Sequence, residues 1–275
     1  MEEIGLFDGS FMHHQSVTMG EDNSHIAPRY IKFFRNEYKE INFFTDMCLA
    51  EVAKAPESAI NFAWLVEPPS LSITHYQYVL KNYDQFSYVL SFAKGMLAGR
   101  VPNFIYYPLG GLWIAMDKIG IYNKTKLLSL MVSEKVVATG HVMRHAIRAF
   151  AKEYGIAVYG RGINPVQSKL QALADYAFSI VVECCQEEGH FSEKLIDCFA
   201  TGTIPIYWGS DISSFFDMKG VIVFDNLRDL FTILPKLEMK DYSDRMSSVH
   251  ENFQRCQNYF CAEDYIYEKY IKEQT

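Results

Sequence analysis

The chain has 275 residues, more than one ordinary domain and fewer than three, so two lobes of about 100–150 residues each are expected. Apolar residues make up 49% and charged residues 21%, which excludes disordered and collagen-like chains. With 26 Lys+Arg against 33 Asp+Glu the formal charge is −7, so a nucleic-acid backbone would meet repulsion and is excluded as a partner.

Taken in chain order, the first clear strand is 59–66, an apolar run stopped by Glu67-Pro68-Pro69, because proline cannot donate to a ladder. Strands at 88–92 and 103–107 follow and complete a first lobe, 1–120. The run 127–132 reads as a buried central strand of a second lobe, 121–240. Ile147, Phe150 and Tyr154 recur at helical spacing, which predicts a helix over 142–154 with Gly155 as its stop. Strands at 156–159, 178–182 and 203–208 come next, with a helix over 192–200 capped by Ser192 and ended by Gly202. The segment 241–275 reads as helix, with the first lobe as its expected packing partner. Strands alternating with helices give an α/β class with largely parallel sheets.

No apolar run is long enough to span a bilayer, and the start lacks the pattern of a signal peptide. Six cysteines without zinc-like spacing fit a reducing compartment, so a soluble intracellular location is expected. There is no D-x-D, the common acidic clamp for a metal-bound nucleotide, and no metal or cofactor is called for. Gly160-Arg161-Gly162 lacks the third glycine of a dinucleotide fingerprint, and Asn164-Pro165 obstructs the helix that motif needs.

Ligands of open α/β sheets gather beyond the carboxyl ends of the strands. Three clusters stand there. Glu67 ends a strong strand, where a fixed carboxylate accepts a proton from a hydroxyl nucleophile; the plain alternative is a solvated strand-end acid. Ser133 and Lys135 precede a helix whose first turn carries Arg144, so N–H groups, dipole and guanidinium can face one diphosphate, although solvated surface charges fit as well. Glu183, His190, Phe191, Glu193 and Lys194 lie between a strand and a helix start, where nucleotide ribose and phosphates want an acceptor and a cation. His13 and His14 form a pair in a segment without clear pattern and are assigned to the acceptor side.

The run 178–209, F-S-I-V-V-E-C-C-Q-E-E-G-H-F-S-E-K-L-I-D-C-F-A-T-G-T-I-P-I-Y-W-G, resembles the donor-binding signature of the family 10 glycosyltransferases, the α-1,3/4-fucosyltransferases. There a strand ending in Phe-Glu-Asn precedes a Tyr-x-Thr-Glu-Lys-Leu helix start. W-L-V-E-P-P at 64–69 resembles the family's Glu-Ser-Pro segment, and the resemblance extends over roughly 60–210. It implies a GT-B fold of two Rossmann-like lobes with a cleft between them, and metal-independent inverting transfer from a GDP- or UDP-sugar to a glycan hydroxyl. Carried over, Glu67 is the general base, Arg144 and Lys194 neutralise the diphosphate, Glu193 holds ribose hydroxyls, and Gly160 falls on the donor side. Cys184 stands where the family has Asn and His190 where it has Tyr, so a different donor such as a UDP-pentose remains an alternative. A non-catalytic sugar- or nucleotide-binding module is the alternative from another class.

Overall fold

The computed structural model describes residues 1–11 and 14–272, and these form two compact units. One unit comprises Met1–Gly111, Glu187–His190 and the chain from Cys261 onward. The other comprises Leu112–Gln186 and Phe191–Phe260.

Six strands of the first unit, among the described residues, form one parallel sheet: β1 (Glu2–Phe7), β2 (Ile31–Arg35), β3 (Ile41–Thr45), β4 (Ile60–Trp64), β5 (Tyr88–Ser91) and β6 (Phe104–Tyr106), in the order β2-β1-β3-β4-β5-β6. Three of them precede the 59–66 run that reads as the first clear strand. The sheet is covered on both faces, so side chains alternate between two cores. Phe62 and Trp64 join one core with Ile4, Phe43 and Leu90, whereas Ala63 and Leu65 join the other with Phe44, Tyr76 and Phe92.

The expected long helix at the carboxyl end is instead a series of short pieces: Met239–Ser243, Met246–Arg255, a 3₁₀ turn at Cys256–Tyr259, Ala262–Ile266 and a π turn at Tyr267–Ile271. Cys261 is extended, with φ −134° and ψ 108°, and there the chain changes unit. Ala262, Ile266 and Ile271 then complete the first unit's core. The fully buried Glu263 carboxylate accepts from the main-chain N–H groups of Val17 and Thr18 and from the Thr18 hydroxyl, while Asp264 pairs with Arg29 at 2.8 Å.

In the second unit, β7 (Lys126–Met131), β8 (Ala157–Tyr159), β9 (Tyr176–Val182), β10 (Ile204–Trp208) and β11 (Ile222–Val223) form a parallel sheet in the order β11-β10-β9-β7-β8. Every residue of β9 is buried, which explains its unbroken apolar sequence. The helix expected over 142–154 spans Thr139–Ala149. Phe150 has already left helical geometry (φ −99°, ψ 4°), yet the apolar spacing persists because Phe150 and Tyr154 both pack on Phe231, with ring centroids 5.0 and 4.9 Å apart. Lys124 is buried beneath this sheet, donating to the carbonyls of Ala174 and Thr201 at 2.9 and 2.8 Å and to Thr203 Oγ1 at 2.9 Å.

Candidate functional site

In the second unit, three loops at the carboxyl ends of β7, β8 and β9 build one polar site. The helix Thr139–Ala149 begins against β9: a Cβ on Gly140 would lie 1.7 Å from the Glu183 carbonyl oxygen, so only glycine permits this approach. Gly160 is constrained in the same way. Its φ is +154° and a Cβ would meet the Val132 carbonyl at 1.9 Å. The segment after it closes as a turn, Gly160 N–H donating to the Asn164 carbonyl at 3.0 Å.

Arg144 lies in the first turns of that helix and is 6% exposed, its Nε donating to the Gly140 carbonyl at 3.3 Å. Burial pulls its proton affinity down, with Glu183 the main opposing charge. His141 caps the helix, its Nδ1 accepting from Ala138 N–H at 3.0 Å. Burial first, then the charges of Arg144, Lys135 and Lys194, push its pKa down to about 4. Burial is the larger cause, and the nearby cations act in the same direction at a helix start whose N–H groups carry the same sign. Ser133 is half-buried, and Lys135 is exposed, its carbonyl bonded to His145 Nε2 at 3.2 Å.

The helix Glu193–Ala200 is capped by Ser192 as its sequence suggests. Glu183, at the end of β9, is fully buried and accepts from Ser192 N–H and O–H at 2.9 and 2.6 Å. Lys194 Nζ contacts Glu183 at 3.4 Å, Ser192 Oγ at 2.8 Å and Glu193 at 3.6 Å. Burial opposes its charge, yet Glu193 and Glu183 hold its pKa above the usual lysine range. Burial likewise works against the Glu193 carboxylate, but Lys194 and Lys169 hold its pKa well below the ordinary range.

Lys169 is a cation that sequence reasoning missed. It bridges Glu193 at 3.2 Å and Asp197 at 2.8 Å and sits 4.6 Å from the Trp113 ring centre. Its role depends on three segments distant in sequence, and no local motif marks it. Phe191 belongs elsewhere. Its ring is fully buried among Phe215, Phe216 and Tyr259, so the expected donor contact is corrected to core packing.

In the first unit, Glu67 is half-buried just beyond β4, and the helix Pro69–Asn82 starts two residues later. Its N–H donates to Asp46 Oδ2 at 3.2 Å and its carbonyl accepts from the Tyr76 hydroxyl at 3.0 Å. Asp8, at the end of β1, accepts from Thr45 Oγ1 at 2.8 Å and pairs with Arg35 at 3.1 Å. Neither Asp8 nor Asp46 stands out in the sequence. His190 is buried in this unit, its ring 4.4 Å from that of Phe92. His14 is buried, and its carbonyl accepts from Arg35 at 2.7 Å; His13 lies outside the described residues.

Comparison with known proteins agrees with this construction. Residues 121–246 match the family model for glycosyltransferase family 10 (fucosyltransferase), C-terminal part. The α-(1,3)-fucosyltransferase FucT of Helicobacter pylori is 44% identical over 45 residues, 16% of this chain and 9% of that protein's length. A solved α1,3-fucosyltransferase superposes with a TM-score of 0.58 at 15% identity, covering 94% of this chain and 88% of its own; its complex with GDP-fucose gives 0.54 at 15%, covering 89% and 80%. HepE of Anabaena, in complex with UDP-glucose, gives 0.63 at 10% identity, covering 98% and 99%. At such identities the structures establish the fold, two parallel α/β lobes of GT-B type. The resemblance read from the sequence thus has its counterpart in the second unit, where residues 121–246 match the C-terminal model of glycosyltransferase family 10, while the chain spans only about a tenth of the length of the curated relative.

Proposed function

We propose that the protein is an inverting, metal-independent glycosyltransferase that moves a sugar, fucose in the first instance, from a GDP- or UDP-sugar to a hydroxyl of a glycan acceptor. The observation that carries this reading is the pair of cations at two helix starts that meet the end of β9: Arg144, buried in the helix whose Gly140 abuts the Glu183 carbonyl, and Lys194, whose Nζ lies 3.4 Å from the Glu183 carboxylate. Fixed cations and helix N–H groups of that kind stabilise charge developing on a departing diphosphate.

The residues divide the reaction. Glu67 takes the proton of the acceptor hydroxyl as that oxygen attacks the anomeric carbon. The bond from that carbon to the diphosphate oxygen breaks, the electron pair leaves with the nucleoside diphosphate, and configuration inverts. Arg144 and Lys194 receive the leaving charge, with Ser133, Lys135 and the main chain at Gly160 beside them. Glu193, ionised and held between two lysines, accepts from ribose hydroxyls. The GDP-fucose and UDP-glucose bound by structural relatives support testing both nucleotides.

Calorimetric titration with GDP, UDP, GDP-fucose and UDP-glucose, followed by mass spectrometry of a glycan panel, tests the reading. Binding of one nucleotide and transfer of its sugar is expected. Binding without transfer, unchanged by Glu67→Gln, favours the non-catalytic module, and no binding of any of the four overturns the proposal.

A further inference from the structure

Glu67 is held in place from both sides of its peptide. The Asp46 carboxylate accepts from Val66 N–H through Oδ1 at 3.1 Å and from Glu67 N–H through Oδ2 at 3.2 Å, while Tyr76, which also meets Ser91 Oγ at 3.2 Å, bonds the Glu67 carbonyl. Asp46 is 5% exposed and has a φ of +31°, a left-handed backbone region that is unfavourable for a residue with a Cβ. Backbone strain and a buried carboxyl are both maintained at the strand end that presents Glu67.

The groups facing Asp46 do not neutralise it. Glu67 and Asp8 are acidic, and Arg35 is bonded to Asp8. His75, from the helix after Glu67, stands 3.9 Å away, beyond hydrogen-bond distance, and burial lowers its pKa. Cys48 and Tyr107, the remaining neighbours, are held protonated by burial. Burial first and the Glu67 charge second push the Asp46 pKa up to about 8.

We infer that Asp46 is the positioning residue of Glu67, fixing its main chain at the end of β4 and placing a second carboxyl group beside the one that takes the proton. The inference rests on Glu67 being the proton acceptor. As Asp46 ionises, a second negative charge joins the strand end that presents Glu67.

Carboxyl-carbon NMR of the full chain, with Asp46 assigned through its Cβ protons, reads the coupling without any turnover. Its titration midpoint is expected near 8 in the native protein and about one pH lower in Glu67→Gln. With GDP-fucose and the acceptor the native protein uses, kcat is expected to climb a second step near that midpoint, and Asp46→Asn to lack the step while binding GDP within twofold of native. An Asp46 midpoint identical in native and Glu67→Gln overturns the positioning role, even where Asp46→Asn fails to fold. Transfer by Glu67→Gln at the native rate overturns the reading of Glu67 on which it rests.

Discussion

The buried Glu183 carboxylate accepts both the N–H and the O–H of Ser192, at 2.9 and 2.6 Å, and so ties the end of β9 to the cap of the next helix. The same carboxylate lies 3.4 Å from Lys194 Nζ, and its main chain meets Gly140 at the start of helix Thr139–Ala149. One strand-end residue therefore sets the position of two helix starts and the direction of one lysine.

Loss of a cation proposed to pair with the diphosphate is the first consequence to measure. A hydrogen bond to a charged group contributes about 1.5–3 kcal/mol, so Arg144→Ala and Lys194→Ala should each weaken nucleoside-diphosphate binding by roughly 10- to 100-fold in calorimetric titration. Unchanged affinity in both would move the diphosphate away from this helix start.

Gly140→Ala tests the close approach of helix and strand. The added methyl would sit 1.7 Å from the Glu183 carbonyl oxygen, and main-chain atoms on both sides have little room to yield. A stability loss of about 2–4 kcal/mol, read by denaturant titration, is expected together with weaker nucleotide binding. The exposed-loop glycine Gly99, whose added Cβ meets nothing within 4 Å but whose φ is +73°, should show only the smaller cost of backbone conformation.

Lys124→Met should destabilise the second unit by about 2–4 kcal/mol, because the carbonyls of Ala174 and Thr201 lose a buried donor. Its pH signature has a definite sign. Burial lowers the Lys124 pKa from 10.5 to about 7, so between those values the unfolded chain holds more protons than the folded one, and stability contributed by this group rises with pH. Thermal unfolding across pH 7–10 should show that slope in the native protein and lose it in Lys124→Met.

Asp46 gives the opposite slope in a lower window. Its folded pKa, about 8 against an ordinary 3.8, means the folded state keeps a proton that the unfolded state has released. Stability from this group is full below the ordinary value and declines as pH rises towards 8. Asp46→Asn should flatten that decline in unfolding measurements between pH 4 and 8.

Glu263→Gln addresses the anchoring of the chain's end. Removing the charge leaves the Val17 and Thr18 N–H groups with a poorer acceptor, and hydrogen exchange over residues 14–20 and 261–272 should quicken while β7–β10 stay protected.

The central strands were legible because burial on both faces leaves no polar alternation: β4 and β10 lie within runs that the sequence marks, and β7 and β9 overlap theirs, beginning one and two residues earlier. The Ser192 cap was legible for a local reason, a hydroxyl two residues before the N–H it accepts. The strands β1, β2 and β3 were not. Glu2–Phe7 opens with two glutamates, and Ile31–Arg35 is an edge strand with exposed and half-buried positions, so neither shows a clean period.

The same distinction divides the site. Sequence by itself determined the fold class, the strand-end position of Glu67 and the placing of Arg144, Glu193 and Lys194 at helix starts, because each depends on residues adjacent in the chain. Tertiary structure decided which side chains meet: Lys169 finds Glu193 and Asp197, Asp46 finds the Glu67 main chain, and Phe191 turns into the core. Those partners are brought together by strand order and parallel crossovers, and Coulomb interactions and hydrogen bonds depend on distance in space rather than separation along the chain.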